Sequence, residues 1–404
     1  MPVSATFEMD GATSSPVKAP RQSPGSDRWR ELVATSWRSR RPQVIEALLV
    51  AWVPWAIARA VVLGTLVFAK FEVRHFHISN AMAVRVTRQG LLSWDGAWYQ
   101  AIAAHGYRAA GHDSLRFFPL LPLAGQVLHD VSSMTVGAAV LVVVNVCSLL
   151  AAMALYQLVK SEFGDEVVAR RAAWLLCLVP SAFVFVMGYA ESLAVMLAVG
   201  CFYCLRRRYW WWAAGFGFVA GLSRPICLLL VVPASVEVLR PSSKRIAGRA
   251  MATAAPLVGA AAFLAWSAVE FHDFFAPLTD QFNSSLHGRM TDPLITLWHA
   301  SVHLAHGRHI DTGLFWAAAV IVLLIVTFRR LPVSYGLFAL AISAAAISGR
   351  NLDSFERYAL SAFPLVMGAS TLLSSERVAM TVFLFCVAGM VGYSLLAFQG
   401  AFVP

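Results

Sequence analysis

Charge is scarce in this chain. Asp, Glu, Lys and Arg together make up 13% of its 404 residues, where a soluble domain carries about 25%. Ten-residue segments of alternating apolar and polar residues are lacking, which excludes an outer-membrane barrel. So are a Walker motif, a Rossmann glycine pattern and a solenoid repeat, which removes the common nucleotide-binding and repeat architectures. No cleavable signal peptide is visible: residues 1–40 are polar and rich in Pro, Ser and Arg, without an apolar h-region or an A-x-A site. Cysteine is sparse. Cys147, Cys177, Cys201, Cys204, Cys227 and Cys386 all lie inside apolar runs, so buried thiols are expected rather than a disulfide framework. Cys201 and Cys204 have C-x-x-C spacing, but no soluble βαβ context supports redox chemistry there.

What is present is apolar. Hydrophobic residues make up 58% of the chain, and the mean hydropathy is +0.65. Long runs of this kind predict an all-α polytopic membrane protein. The runs divide into about eleven spans, near 45–70, 135–159, 167–188, 190–205, 209–223, 225–239, 249–270, 312–328, 332–348, 358–373 and 378–398. Residues 1–44 are expected to form a disordered cytoplasmic tail, and 45–404 the transmembrane domain. The formal charge of +10, from 32 Lys+Arg against 22 Asp+Glu, is no nucleic-acid signature. Arg206-Arg207-Arg208, Arg329-Arg330, Arg377 and the basic residues near 160–171 and 240–249 fall on one side if the spans alternate. That side is cytoplasmic by the positive-inside rule. The loops 71–134 and 271–311 then lie outside.

One of those loops holds the stretch richest in chemistry, Trp94-Asp95-Gly96-Ala97-Trp98-Tyr99 leading to His105-Gly106-Tyr107. A lone acid at a membrane surface, walled by aromatics, suits a general base acting on a sugar hydroxyl. Asp95 equally suits an Asx turn or helix cap in the Trp-Asp-Gly corner, and the residues alone leave both open. Glu191 follows an expected span on the same side. It suits orienting Asp95, binding acceptor hydroxyls or pairing an arginine, or simply complementing a helix N-terminus. Arg224, at the helix break Ser223-Arg224-Pro225, and Arg350 and Arg357 are the phosphate candidates, because arginine offers forked donors and keeps its charge at depth. The alternatives are snorkelling or a pair with Glu356 or Asp353. His105 and Tyr107 suit phosphate or sugar contact, or loop packing. Trp94 and Trp98 suit stacking on sugar or a place at the interface, and Tyr358 joins the substrate-binding candidates beside Arg357. His299, His303 and His306 share one helical face, but no partnering acid or Cys cluster accompanies them, so no metal site is assigned. Asn283-Ser284-Ser285 is a sequon, a triplet frequent by chance.

Taken in order, four motifs resemble one family. They are Trp94-Asp95 with Tyr99 and His105-Gly106-Tyr107; Phe117-Phe118-Pro119-Leu120-Leu121-Pro122-Leu123; Pro180-Ser181-Ala182 with Gly188-Tyr189-Ala190-Glu191-Ser192-Leu193; and Gly221-Leu222-Ser223-Arg224-Pro225. Arg357-Tyr358-Ala359-Leu360 with Phe363-Pro364-Leu365 is similar to a C-terminal motif of the bacterial members. The chain resembles the PIG-V-like integral-membrane mannosyltransferases, related to the enzyme that adds the second mannose of GPI anchors, within the GT-C glycosyltransferases. Ser93 departs from the pattern, since many relatives have an arginine there.

The resemblance implies a GT-C-type fold whose extracytoplasmic first loop carries the catalytic acid. It implies transfer of mannose from a polyprenyl-phosphate carrier to a lipid- or membrane-linked acceptor, with Asp95 as base. Arg224, Arg357, Arg350 and His105 would then serve the donor phosphate, and Glu191, Tyr107, Trp94, Trp98 and Tyr358 the substrates. No cofactor is required beyond the donor lipid, and a divalent metal is left open. The expected partners are donor, acceptor and membrane lipids, with no nucleic acid. The expected place is the plasma membrane, multi-pass, with a cytoplasmic N-terminus, or the endoplasmic reticulum membrane in a eukaryote. A flippase of lipid-linked sugars is the competing class, because broken helices and a buried arginine suit it too.

The topology has a direct test. In a background free of native cysteines, an impermeant maleimide should label Ser285→Cys but not Arg207→Cys in intact cells. The reverse pattern would sink the orientation.

Overall fold

The computed structural model describes Met1 and residues 24–76, 80–239, 246–282, 291–305, 312–348, 352 and 354–401, without the side chains of 24–41, 282, 300, 303–305 and 312. Arg350, Asp353, the sequon at Asn283, His287, His306 and His309 lie outside the described residues, as does the side chain of His303. Met1–Ile45 and Glu46–Pro404 form two compact units, and every side-chain contact described below lies within the second.

Among the described residues the fold is all helix. The helices are α1 (Pro24–His75), α2 (Ala81–Gln89), α3 (Asp95–Ala110), α4 (Leu120–Asp130), α5 (Val136–Phe163), α6 (Glu166–Leu178), α7 (Glu191–Arg206), α8 (Trp210–Gly221), α9 (Val231–Leu239) and α10 (Ile246–Phe271). After these come α11 (Ala276–Thr279), α12 (Pro293–Ala305), α13 (Thr312–Arg330), α14 (Val333–Ile347), α15 (Phe355–Leu360), α16 (Phe363–Ser370) and α17 (Glu376–Phe398). Five segments are long and apolar enough to cross a membrane: Pro42–His75, Val136–Phe163, Ile246–Phe271, Gly313–Arg330 and Glu376–Phe398. Each coincides with an expected span.

The other expected spans are shorter or broken, and proline is the main cause. The run at 167–188 is α6 followed by a 3-10 turn, Pro180–Phe185. Pro180 has no N–H to continue the ladder. The run at 225–239 opens as a 3-10 turn, Pro225–Leu230, before α9. The run at 358–373 divides at Ser361-Ala362 into α15 and α16, with Pro364 in the first turn of the second. The helical stretch expected at 81–105 is α2 and α3 with a 3-10 turn, Gly90–Leu92, between them. All six cysteines are free thiols, and Cys201 Sγ contacts the Ala213 carbonyl at 3.6 Å, a packing role.

Two contacts set the frame around the functional residues. In the first, α8 lies against α10 backbone to backbone. A Cβ built on Gly221 would stand 2.2 Å from the Pro256 carbonyl oxygen, and one on Gly259 would stand 2.1 Å from the Phe218 carbonyl oxygen. Small residues permit such approach between helices where lipid supplies no hydrophobic drive. This crossing fixes the end of α8, and so the Ser223-Arg224 corner that follows it.

The second contact is Arg59, a charged residue inside the span Pro42–His75 that sequence reading passed over. Its partners are neutral. Nε donates to Asn145 Oδ1 at 2.8 Å, Nη1 to the Trp55 carbonyl at 3.1 Å and Nη2 to the Phe185 carbonyl at 3.0 Å, with a further short bond to Ser148 Oγ. Its guanidinium lies 4.1 Å from the centre of the Trp55 ring. Asn145 Nδ2 donates to the Val186 carbonyl at 3.3 Å. An arginine at this depth is costly unless well partnered. Here it secures carbonyls at the end of the Pro180–Phe185 turn, where a helix terminus leaves acceptors unfilled.

Both contacts predict stability effects. Gly221→Ala should lower Tm in detergent, since overpacking costs about 1–3 kcal/mol. Gly215→Ala, on the same helix with nothing within 4 Å, should leave Tm unchanged. Arg59→Leu should lower Tm more than Arg59→Lys does, because each buried acceptor left without a donor costs about 1–3 kcal/mol. Equal Tm for Arg59→Leu and wild type would show that the clamp is unimportant.

Candidate active site

Four charged residues from separate parts of the chain meet at one place. Arg357 Nη1 donates to Asp95 Oδ2 at 2.7 Å. Arg357 Nε lies 3.5 Å from Glu191 Oε1, and Arg224 Nη1 lies 2.8 Å from the same oxygen. Glu191 therefore faces two guanidinium groups. The 2.8 Å contact is one of charge without hydrogen-bond alignment, for among the described residues neither Arg224 Nη1 nor Glu191 Oε1 has an aligned partner. Arg357 Nη2 donates to Tyr358 Oη at 3.0 Å. The Tyr358 ring lies 4.8 Å from the Arg357 guanidinium and 5.4 Å from that of Arg224.

Exposure within this group is uneven. The Glu191 side chain is 2% exposed, Arg357 6% and Arg224 10%, while Asp95 is 30% exposed. Two positive and two negative charges balance, which is the condition under which buried ions are tolerated. Asp95 is the member that solvent, or a substrate, can reach.

Local structure explains the convergence. Asp95 is the first residue of α3, and Trp94 before it has φ 58°. A non-glycine residue there is strained, and the Trp94 indole holds it by donating Nε1 to the Ala397 carbonyl on α17 at 3.1 Å. Gly96 then packs against Gly188: a Cβ on Gly188 would stand 3.1 Å from Gly96 Cα. Gly188 N donates to the Leu91 carbonyl at 2.8 Å. These contacts bring the start of α3 beside the start of α7, whose first residue is Glu191. The N-terminal ends of both helices favour an acid. Arg224 is extended, at φ −160° and ψ 149°, between α8 and the Pro225–Leu230 turn. Leu120 N ties that corner to α4 by donating to the Leu222 carbonyl at 3.1 Å. Arg357 sits on the short α15, which starts from Ser354 at φ 61°.

Among the sequence candidates, Asp95, Glu191, Arg224, Arg357 and Tyr358 come together. Trp94 adjoins them with its indole committed to α17. Trp98 stacks on Phe117 at 5.6 Å and has the Arg116 guanidinium 5.3 Å from its ring. Tyr107 donates its hydroxyl to the Phe117 carbonyl at 2.7 Å and packs on Phe263 and Trp266, so its contacts belong to the α3–α10 packing. His105 is exposed, roughly 15 Å along α3 from Asp95 at helical rise, away from the cluster. His299 is described, and among the described residues no three His, Cys, Asp or Glu side chains gather to hold a metal.

The sequence reading missed Arg59, Asn145, Tyr99 and Tyr189. Tyr99 is buried beside the cluster, and burial raises its phenol far above the usual range, against the opposing pull of Arg224. It is a neutral wall of the site. A charge in the middle of an apolar span was the available signal for Arg59.

Comparison with known proteins adds to this geometry. No curated protein matches the chain. Among solved structures it is similar to the oligosaccharyltransferase of Archaeoglobus fulgidus. With an acceptor peptide tethered, the identity is 13% and the TM-score 0.40, covering 86% of this chain and 55% of that one. In the apo form, the identity is 13% and the TM-score 0.39, covering 85% and 56%. In complex with zinc and sulfate, the identity is 15% and the TM-score 0.38, covering 76% and 48%. The chain thus spans about half the length of these structures. Residues 43–236, just under half of the chain and the part that carries Asp95, Glu191 and Arg224, match the family described as mannosyltransferase (PIG-V).

Proposed function

We propose that this protein transfers mannose from a polyprenyl-phosphate carrier to a lipid- or membrane-linked acceptor, by a single inverting displacement at the extracytoplasmic face. The observation that carries this reading is the arginine shared between the two acids. Arg357 pairs with the half-exposed Asp95 and faces the buried Glu191, with Arg224 on the other side of Glu191.

The chemistry follows from charge. The acceptor hydroxyl oxygen attacks the anomeric carbon and forms the new C–O bond. The bond from that carbon to the carrier phosphate breaks, and its electron pair stays on the phosphate oxygen. The hydroxyl proton goes to the Asp95 carboxylate. The phosphate gains one negative charge as Asp95 loses one, so the net charge of the site does not change during the step. A neutral cluster with little access to water suits such an exchange, because preorganised charges act strongly there. Arg224 and Arg357 are the groups placed to stabilise the departing phosphate, with forked donors matched to it. A phosphate at Arg357 Nη1 would compete with Asp95 for that nitrogen. Donor binding would draw it from Asp95 and leave that carboxylate free to accept a proton.

The fold supports the orientation. Glu191 and Arg206 stand at opposite ends of α7, which has sixteen residues, roughly 22 Å apart. The Arg206-Arg207-Arg208 run would then face the cytoplasm and the acid cluster the other side.

The test is transfer from synthetic polyprenyl-phosphate-mannose to a membrane lipid extract, with purified protein in detergent. Wild type should form a new glycosidic bond, which a flippase does not. Asp95→Asn should lower turnover at least about a hundredfold, as for a lost general base. Arg224→Lys should impair the donor step, since a point charge does not reproduce a forked contact. Transfer by Asp95→Asn at the wild-type rate would remove Asp95 as base.

A further inference from the structure

Tyr189 is the strongest unexplained group near the site. It is fully buried, two residues before Glu191 and next to the Gly96–Gly188 contact. The Arg357 guanidinium lies 5.4 Å from its ring. The charged groups facing its phenol are Asp95, Arg357 and Glu191. The Asp95 backbone N–H also faces the phenol oxygen, but among the described residues no aligned hydrogen bond to Tyr189 Oη forms and its own proton has no acceptor. A buried hydroxyl without a partner costs stability, and phenylalanine would fill the same space without that cost. Burial pushes the phenol well above its usual range, so it stays a neutral O–H that can donate.

In the resting arrangement each guanidinium nitrogen of Arg357 faces a protein group: Nη1 faces Asp95, Nη2 faces Tyr358 and Nε faces Glu191. Nη1 and Nη2 each keep a second N–H, so a phosphate can reach Arg357 without displacing them, but one that takes up Nη1 competes with Asp95 for it. If it displaces Asp95, the carboxylate loses the bond that fixes its position when it has to accept the acceptor proton. The Tyr189 hydroxyl is a buried donor that faces Asp95 and lies beside Arg357.

We infer that Tyr189 is a positioning residue which donates to the Asp95 carboxylate once the donor phosphate draws Arg357 away. This rests on the reading of Asp95 as base and of Arg357 as a phosphate ligand. The exchange replaces an ion pair with a neutral hydrogen bond. Asp95 stays in place while losing the positive charge that opposes its protonation. No bond to carbon or phosphorus is made by Tyr189, and its own proton stays on the phenol oxygen.

The experiment compares wild type, Tyr189→Phe and Asp95→Asn as full-length proteins in detergent, by Tm and by steady-state transfer with synthetic polyprenyl-phosphate-mannose as the varied donor and the lipid extract saturating. Tyr189→Phe keeps the ring and its contact with Arg357. Its Tm should equal or exceed that of wild type, and its donor KM should stay within about twofold. Its kcat should fall about tenfold or more, as for a lost hydrogen bond to a charged group. A wild-type kcat in Tyr189→Phe, with Asp95→Asn inactive, would overturn the role of Tyr189 and leave the base in place. A fall in Tm with kcat and KM both impaired would make Tyr189 a packing residue and overturn it too. Wild-type turnover in Asp95→Asn, or no transfer by wild type, would overturn the underlying reading and this inference with it.

Discussion

Two guanidinium groups face one buried carboxylate oxygen, and the arrangement of the site follows from that meeting. Glu191 Oε1 is 2.8 Å from Arg224 and 3.5 Å from Arg357. Without Glu191, two like charges would face each other in a poorly hydrated place, and neither would be stable there. With it, a single negative charge holds both arginines close, and the second negative charge, Asp95, remains at the more exposed edge. The group is neutral as a whole but uneven inside. That unevenness leaves Asp95 the most exposed of the four, with both arginines buried behind it.

The rest of the structure serves to place these four groups. None of the elements that carry them is a long, independent span. Asp95 and Glu191 begin helices, Arg224 sits at a break between two, and Arg357 lies on a helix of six residues. Irregular backbone of this sort is tolerated at membrane depth only where protein covers it. The cover comes from the long helices: Arg59 and Asn145 hold the carbonyls of Phe185 and Val186, Ala397 on α17 accepts from Trp94, and α10 seats the end of α8 through Gly259.

Scarcity made the four residues legible in the sequence. In a chain with so few charges, an acid or arginine inside or beside an apolar run has to find a partner, and each of the four stood out in its own motif. The pairing was not legible. Asp95 and Arg357 are 262 positions apart, and nothing local says that Arg357 would choose Asp95 over its neighbour Glu356. His105 and Tyr107 stood in the same motif as Asp95, but helical rise carries His105 down α3, and Tyr107 follows the non-helical Gly106 and packs on α10. Tyr189 lay inside a motif and gave no signal, because an aromatic residue in an apolar run is ordinary, and only its buried hydroxyl facing Asp95 sets it apart. The long spans were clear from hydropathy. The short ones were not, since the same apolar composition serves a crossing helix and a broken one, and Pro180 and Pro364 decide between them.

The two ends of α7 show why charge alone does not make a site. At its C-terminal end Arg206 donates through Nε and Nη2 to both oxygens of Glu162, at 2.7 and 2.9 Å, and its Nη1 reaches Glu237 at 3.2 Å. Tyr335 donates to Glu162 at 3.1 Å and Ser334 to Glu237 at 2.7 Å. The guanidinium is matched to its acids in a forked geometry, so the network joins α5, α7, α9 and α14 and has little to gain from a ligand. At the N-terminal end the same kinds of residue meet at similar distances, but Arg224 Nη1, Arg357 Nε and Glu191 Oε1 have no aligned hydrogen bond. Charges that are close but unaligned keep unspent hydrogen-bonding capacity. A forked anion such as phosphate is the kind of group that can use it, and this sets the cluster apart from the Arg206 network, whose donors are already matched.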